Sequence, residues 1–327
     1  MIVMVEQEDK KGHVIHPPKA DELLDIAIIG GGMAGATAGI YSGRYLLKTA
    51  LFTKTKGGAI VDSPDVENYP GFKTISGYEL MSRVLNQAQH YGTLIVDEII
   101  ESIEKQGDVF VLEGSSGKEY KAKQVILATG LMRRKLGLQR EDELAGKGVS
   151  YCATCDGFFY KDKVVGVVGG SDAAALSAIL LSKYASKVYI IYRRGKMRCE
   201  PYWLKILEDD PKVEFIYNAN VSELKGKDRL EGVTLDTGKE LDLDGLFIEI
   251  GAEPSTDLFA PLGVETDERG YVKVNEEMKT NVPRIYAAGD LTTGSAGFKQ
   301  LVVAAAEGAI AATSAYHYAK KELNNAR

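Results

Sequence analysis

One segment of this chain is written twice. Asp25 to Thr53 reads DIAIIGGGMAGATAGIYSGRYLLKTALFT, and Val164 to Tyr192 reads VVGVVGGSDAAALSAILLSKYASKVYIIY. With Gly30 set against Gly169 the two align without a gap, bringing Ile40 to Ile179, Tyr45 to Tyr184 and Lys48 to Lys187. Each copy runs from a short apolar stretch through glycines into an Ala-rich stretch of helical spacing, then into a second apolar stretch. That order predicts strand, tight turn, helix and strand, the βαβ unit of a dinucleotide-binding sheet.

The glycines have separate tasks in such a unit. Gly30 permits the tight turn, Gly32 lets a pyrophosphate come close to the backbone, and Gly35 lets helix and strand pack together, with Met33 and Ala34 between them. The helix N-terminus then faces the phosphates. Thr53 closes this first unit. In the second copy Gly169, Gly170 and Ala174 keep the pattern, but Ser171 and Asp172 replace the second glycine and its neighbour; the serine takes room and the aspartate brings negative charge. An NAD site usually ends its second strand on an acid that holds the ribose, whereas this strand runs into Arg193 and Arg194, with Arg198 following. Guanidinium groups there suit a 2′-phosphate; a solvated basic turn is the plainer alternative.

Further strands fit the same architecture: Val125–Gly130 ending in Thr129-Gly130, Leu246–Gly251, and Ile285–Asp290 ending in Gly289-Asp290 before an Ala-rich helix expected from about Gly297 to Lys320. The fold class expected is α/β, with two Rossmann-like three-layer nucleotide-binding domains, the second inserted in the first. A first domain over 25–132 and 253–327 and an inserted one over 133–252 follow, after an N-terminal extension over 1–24. At 327 residues the chain has room for both. A net charge of -6 argues against a nucleic-acid binder. The first twenty residues lack a signal peptide's apolar core, no apolar run approaches the ~20 residues that span a bilayer, and three cysteines are too few for a secreted framework. A cytoplasmic protein without membrane or nucleic-acid partners is expected.

The inserted segment carries SYCATCDGFF, residues 150–159. Cys152 and Cys155 could form a redox disulfide, half a zinc site, or a pair of inert thiols. Zinc needs about four ligands, and only Cys199 remains, so no metal is expected. Asp156 is the nearest titratable group, although an Asp after a cysteine more often caps a turn. His13, His16, His90 and His317 fall in no motif connected with this chemistry.

Taken together, GGGMAG at 30–35, VENYPG at 66–71, ATG at 128–130, CATCDGFFY at 152–160, YRRGKMR at 192–198 and AAGD at 287–290 resemble the low-molecular-weight thioredoxin reductases over nearly the whole chain. The resemblance implies homodimers with FAD in the first domain and NADPH in the second. It assigns Gly30, Gly32, Met33, Ala34 and Gly35 to the FAD pyrophosphate, and Gly57, Gly58 and Asn68 to the flavin. Asp290 would hold the ribityl chain, and Lys299-Gln300 would stand beside the ring system. Arg193, Arg194 and Arg198 would bind the 2′-phosphate. Cys155 would lie nearest the flavin, Cys152 would attack the partner, and Asp156 would be the general acid.

The chain departs from that family at Ala59, where a glutamine is usual, at Tyr192, where a histidine is usual, and at Ser171-Asp172. The latter three fall in the NADPH site and put the donor in question. The activity implied is thioredoxin-disulfide reductase (NADPH): electrons pass from NADPH through FAD and the Cys152–Cys155 disulfide to a thioredoxin or glutaredoxin-like protein. Because nicotinamide and disulfide must both reach the flavin, the inserted domain is expected to move on its two linkers. Competing readings are a flavoprotein with NADH or ferredoxin as donor, a ferredoxin-NADP type enzyme, and a redox-sensing nucleotide binder.

Overall fold

A computed structural model describes residues 22–63, 66–294 and 297–325; almost all of the expected N-terminal extension, with His13 and His16, lies outside them. The chain divides into two compact units, one of 1–132 and 254–327, the other of 133–253. Among the described residues no helix is long and apolar enough to cross a membrane.

In the first unit, Leu24–Ile29 is buried along almost its whole length, the pattern of a parallel strand covered on both faces. It pairs in parallel with Thr49–Phe52 on one side and Glu119–Leu127 on the other. Leu94–Val96 extends the first edge, and Ile285–Ala287 pairs in parallel with the end of Glu119–Leu127. An antiparallel arm, Ile100–Gln106 and Val109–Gly114, completes the sheet. Ile26, Ile28 and Leu51 are fully buried on one face, each contributing about 1.5–3 kcal/mol of transfer free energy.

Helix Met33–Arg44 covers that face, and helix Leu301–Asn325 packs on it. The long helix starts at Leu301 and not near Gly297 as expected, because the carbonyl of Gln300 takes the capping position, accepting from Ala304 N at 2.9 Å. The two helices meet backbone to backbone: a β-carbon on Gly308 would lie 2.1 Å from Ala34 O.

The second unit orders its parallel strands Val213–Tyr217, Lys187–Tyr192, Val164–Val168, Gly245–Ile248 and Val149–Ser150, with helices Asp172–Ser182 and Pro201–Glu208. A three-stranded antiparallel sheet, Val221–Lys225, Gly232–Leu235 and Glu240–Asp242, joins them. Arg134 closes its base, donating through its amide to Gly251 O at 3.0 Å and through Nε to Glu253 at 2.8 Å. Glu253 therefore goes with the inserted unit. In both units the strand order reverses beside the first strand of the repeat, Leu24–Ile29 or Val164–Val168. Such switch points open a crevice beyond the strand ends, where ligands of doubly wound sheets bind.

Candidate functional site

The first glycine turn stands at the switch point of its unit. Gly30 has φ +115° and a β-carbon there would fall 2.1 Å from Ala128 O, so backbone alone fits. A β-carbon on Gly35 would meet Gly30 O at 1.9 Å, which is how helix Met33–Arg44 reaches the strand. Gly31 lies against the side chain of Thr53 and accepts from Gly57 N at 3.0 Å. Gly58 faces Gly32 so closely that a β-carbon on it would lie 3.0 Å from Gly32 Cα. Gly30, Gly32, Gly35, Gly57, Gly58 and Thr53 are thus brought together, with Met33 and Ala34 buried beneath them. Thr129, exposed, and Gly130 follow the carbonyl that covers Gly30.

From the far end of the chain, Gly289 joins this turn: a β-carbon there would fall 2.9 Å from that of Ala34. The Gly289 amide donates to Glu307 at 2.8 Å, and Thr292 Oγ1 donates to the same oxygen at 3.0 Å. Glu307 is 3% exposed; no motif marks it, since it lies within an Ala-rich helix. Asp290 is half-buried, and burial pushes its carboxyl up against the pull of the Lys299 ammonium. Burial in turn lowers the proton affinity of Lys299, whose Nζ donates to Thr292 O. Asn68 Nδ2 donates to Gln300 Oε1 at 3.1 Å across 232 residues of sequence. Glycines that leave room for backbone alone, with a carboxyl and polar amides in the same unit, are the residue types that fit a flavin dinucleotide.

The second turn repeats the scheme with other parts. Gly169 has φ +149° and lies under the carbonyl of Glu249, as Gly30 lies under Ala128. Gly170 faces Tyr192 as Gly31 faces Thr53. Ala174 is fully buried in the place of Gly35. Ser171 caps helix Asp172–Ser182 without a side-chain bond. The charge of Asp172 is engaged locally: Oδ1 accepts from Glu200 N at 2.7 Å. Arg198 N donates to Gly170 O at 2.6 Å, so the loop after Tyr192 is fastened to the turn. Arg193, Arg194 and Arg198 are exposed along it. Glu249 was not singled out within the strand Leu246–Gly251 either; Ser177 Oγ donates to it at 2.8 Å, Arg133 lies 3.7 Å away, and burial holds its carboxyl above the usual range.

Cys152 caps one helical turn of the inserted unit, Ala153–Asp156, and Cys155 lies within it. Cys152 and Cys155 form a disulfide, with Cα atoms 5.3 Å apart. Cys155 N donates to Cys152 Sγ at 3.1 Å, capping the turn. Cys152 is half-buried and Cys155 exposed. Asp156 does not stand alone. Ser150, 3% exposed and missed by sequence reasoning, donates from Oγ to Asp156 Oδ2 at 2.7 Å and accepts from Cys152 N at 3.0 Å. One hydroxyl therefore fixes both the carboxylate and the start of the cysteine turn. Just before it, Tyr151 donates to Glu141 at 2.7 Å; Glu141 is 2% exposed and also accepts from the amides of Leu136, Gly137 and Leu138. Burial, then this carboxylate, raises the Tyr151 phenol. Phe158 and Phe159 follow the turn with their rings exposed.

Comparison with known proteins matches residues 24–308 to the pyridine nucleotide-disulphide oxidoreductase family. A thioredoxin reductase of Streptomyces clavuligerus is 40% identical over 310 residues, covering 91% of this chain and 94% of that protein. One from Bacillus subtilis (strain 168) is 40% identical, covering 92% and 96%. The crystal structure of Lactococcus lactis thioredoxin reductase (FR conformation) superposes with a TM-score of 0.83 at 34% identity, covering 91% of this chain and 99% of that one.

Proposed function

The chain belongs to the thioredoxin reductases of the pyridine nucleotide-disulphide oxidoreductase family, and on that premise we propose that it reduces the disulfide of a thioredoxin or glutaredoxin-like protein with electrons from NADPH. The first unit would hold FAD and the second NADPH, in a cytoplasmic homodimer. The observation that carries the reading is the Cys152–Cys155 disulfide on an anchored turn beside Asp156.

FAD, when bound, supplies a two-electron relay between a hydride donor and a disulfide. For the chain itself, two electrons and two protons open the Cys152–Cys155 bond to a dithiol. The Cys152 thiolate then attacks one sulfur of the partner disulfide, and the partner's other sulfur leaves as a thiolate. Cys155 attacks the mixed disulfide, releasing the reduced partner and restoring the internal bond. Asp156 delivers the proton that a departing thiolate takes up, and Ser150 holds that carboxyl beside the cysteine turn. Along the groove of the first unit, Gly30, Gly32, Gly35, Gly57 and Gly58 would admit the FAD pyrophosphate, Asp290 its ribityl hydroxyls, and Asn68, Lys299 and Gln300 its ring system. In the second unit, Gly169, Gly170, Ser171 and the first turn at Asp172 would face NADPH, with Arg193, Arg194 and Arg198 on its 2′-phosphate.

An anaerobic titration of the yellow protein with NADPH tests this: absorbance should bleach and two thiols should become titratable. The Cys152→Ser variant should still bleach but lose reduction of a protein disulfide. Full retained activity in that variant would remove the cysteine pair from the reaction.

A further inference from the structure

Pieces of chain that are far apart in sequence meet at one buried carboxylate of the first unit. Helix Leu301–Asn325 brings Glu307, 3% exposed, against the loop that follows strand Ile285–Ala287. Its Oε2 accepts from Gly289 N at 2.8 Å and from Thr292 Oγ1 at 3.0 Å, so the residues on either side of Asp290 and Leu291 are gripped by a single atom. Thr292 Oγ1 in turn accepts from Gly294 N at 3.1 Å, and a β-carbon on Gly294 would lie 2.4 Å from Glu307 Oε1. The next residue of the helix, Gly308, lies with its backbone on Ala34 O, and Gly289 lies on the Ala34 β-carbon. Glu307 therefore stands where the loop of Asp290, the long helix and the first glycine turn come together. Thr292 carries the hold onward: its carbonyl accepts from Lys299 Nζ, which lies 4.9 Å from the centre of the Tyr271 ring. Burying a carboxylate is costly to a fold, and the thiol–disulfide chemistry has no use for this one.

We propose that Glu307 is a positioning residue of the flavin site, which fixes the loop of Asp290 and the Lys299 ammonium at one spacing from the glycine turn at 30–35. The inference rests on the reading that the first unit holds FAD. Such a ligand is long: its pyrophosphate would lie at the turn, and its ribityl chain and ring system at Asp290, Lys299 and Gln300, near the other end of the sequence. A ligand that touches both pieces is held tightly when their spacing is set before it arrives. Glu307 sets it from the helix that touches both, through Gly289 and Thr292 on one side and through its neighbour Gly308 on the other. The charges agree that these groups face one another: burial raises the Asp290 carboxyl, Lys299 draws it down, and Glu307 pushes it up. A glutamine in place of Glu307 keeps an oxygen that accepts both bonds. An alanine keeps none.

The test compares the full-length, FAD-loaded protein with Glu307→Ala, Glu307→Gln and Thr292→Val by the rate at which FAD leaves on dilution, read from the fluorescence of freed flavin well below every melting point. Glu307→Ala should release FAD about ten- to hundredfold faster, and Glu307→Gln should stay within about threefold of the parent. Thr292→Val, which cuts one of these bonds, should speed release by about three- to tenfold. Adding it to Glu307→Ala should change nothing further, since both act through one contact. Unchanged release in Glu307→Ala, with or without a lower melting temperature, overturns the inference and leaves the FAD reading intact. Glu307→Gln as fast as Glu307→Ala also overturns it, because hydrogen bonds are then not the hold. Full additivity of the two substitutions overturns it too, because Glu307 then acts by another route. If Glu307→Ala does not fold, the other two variants decide: faster release in Thr292→Val alone sustains the inference, and equal release in both overturns it. A parent protein that holds no flavin and takes up none removes the FAD reading and this inference with it.

Discussion

The turns at 30–35 and 169–174 are built on one plan and finished for different loads. In both, a carbonyl from the neighbouring strand covers the first glycine and a strand-end side chain covers the second. The first turn is finished with backbone: Gly35 touches Gly30, and Gly58 faces Gly32. The second is finished with side chains: Ala174 fills the helix contact, Asp172 ties down Glu200, and Tyr192 spreads over Gly170. A turn made of backbone has no freedom to adapt, whereas one closed by a side chain and a loop can be opened. The difference is what the proposed roles call for, a flavin that stays in the first unit and a nucleotide that comes and goes in the second.

The sharpest way to break this contrast is at the third position of each turn. Gly35→Ala should drive a methyl into Gly30 O and cost about 3 kcal/mol, with loss of bound flavin. The reverse change, Ala174→Gly, should cost only about 1 kcal/mol of helix propensity and leave flavin in place. Unfolding midpoints together with flavin absorbance measure both; similar losses at the two sites would mean that the turns are equally tight.

A smaller effect separates the two strand ends. Thr53→Val deletes a hydroxyl that has a partner, the Thr55 carbonyl, and should lower stability by about 1 kcal/mol. Tyr192→Phe deletes one that has no partner among the described residues and should not. Denaturant titrations of the two variants side by side decide this.

The smallest effect concerns the carbonyls over the first glycines, which belong to Ala128 in one turn and Glu249 in the other. Burial raises the Glu249 carboxyl above its unfolded value. The stability it lends is complete below the ordinary carboxylate range and is lost as pH rises through the raised folded value. Glu249→Gln should therefore gain on the parent as pH is taken upward from about 4 and then level off. A gap that stays constant with pH would show that the carboxyl titrates normally.

The plan of both turns was legible because its signals are local. Gly30 and Gly169 must adopt φ values that other residues avoid, and the strands that lead into them, Leu24–Ile29 and Val164–Val168, are apolar but for Asp25. The cysteine pair was legible as a spacing. What could not be read was whatever joins residues by contact across the fold. Glu307 reaches Gly289 from a helix whose sequence says only alanine-rich. Asn68 meets Gln300 from the other end of the chain. Ser150 carried no signal in the sequence, and only the bend of the turn brings Asp156 back to it. Tyr192 could be seen as a departure, but not that its ring would lie on Gly170.

The first unit is a single sheet made by two distant pieces of chain, and this has a consequence for synthesis. Strand Glu119–Leu127 leaves the ribosome with Val125, Ile126 and Leu127 lacking the neighbour that Ile285, Tyr286 and Ala287 later provide. The whole inserted unit is translated in between and can fold first on its own contacts. For that interval an apolar strand edge stands open, the kind of surface on which chains pair with one another. A nascent protein stalled before Ile285 would therefore depend on chaperones in a way the finished one does not.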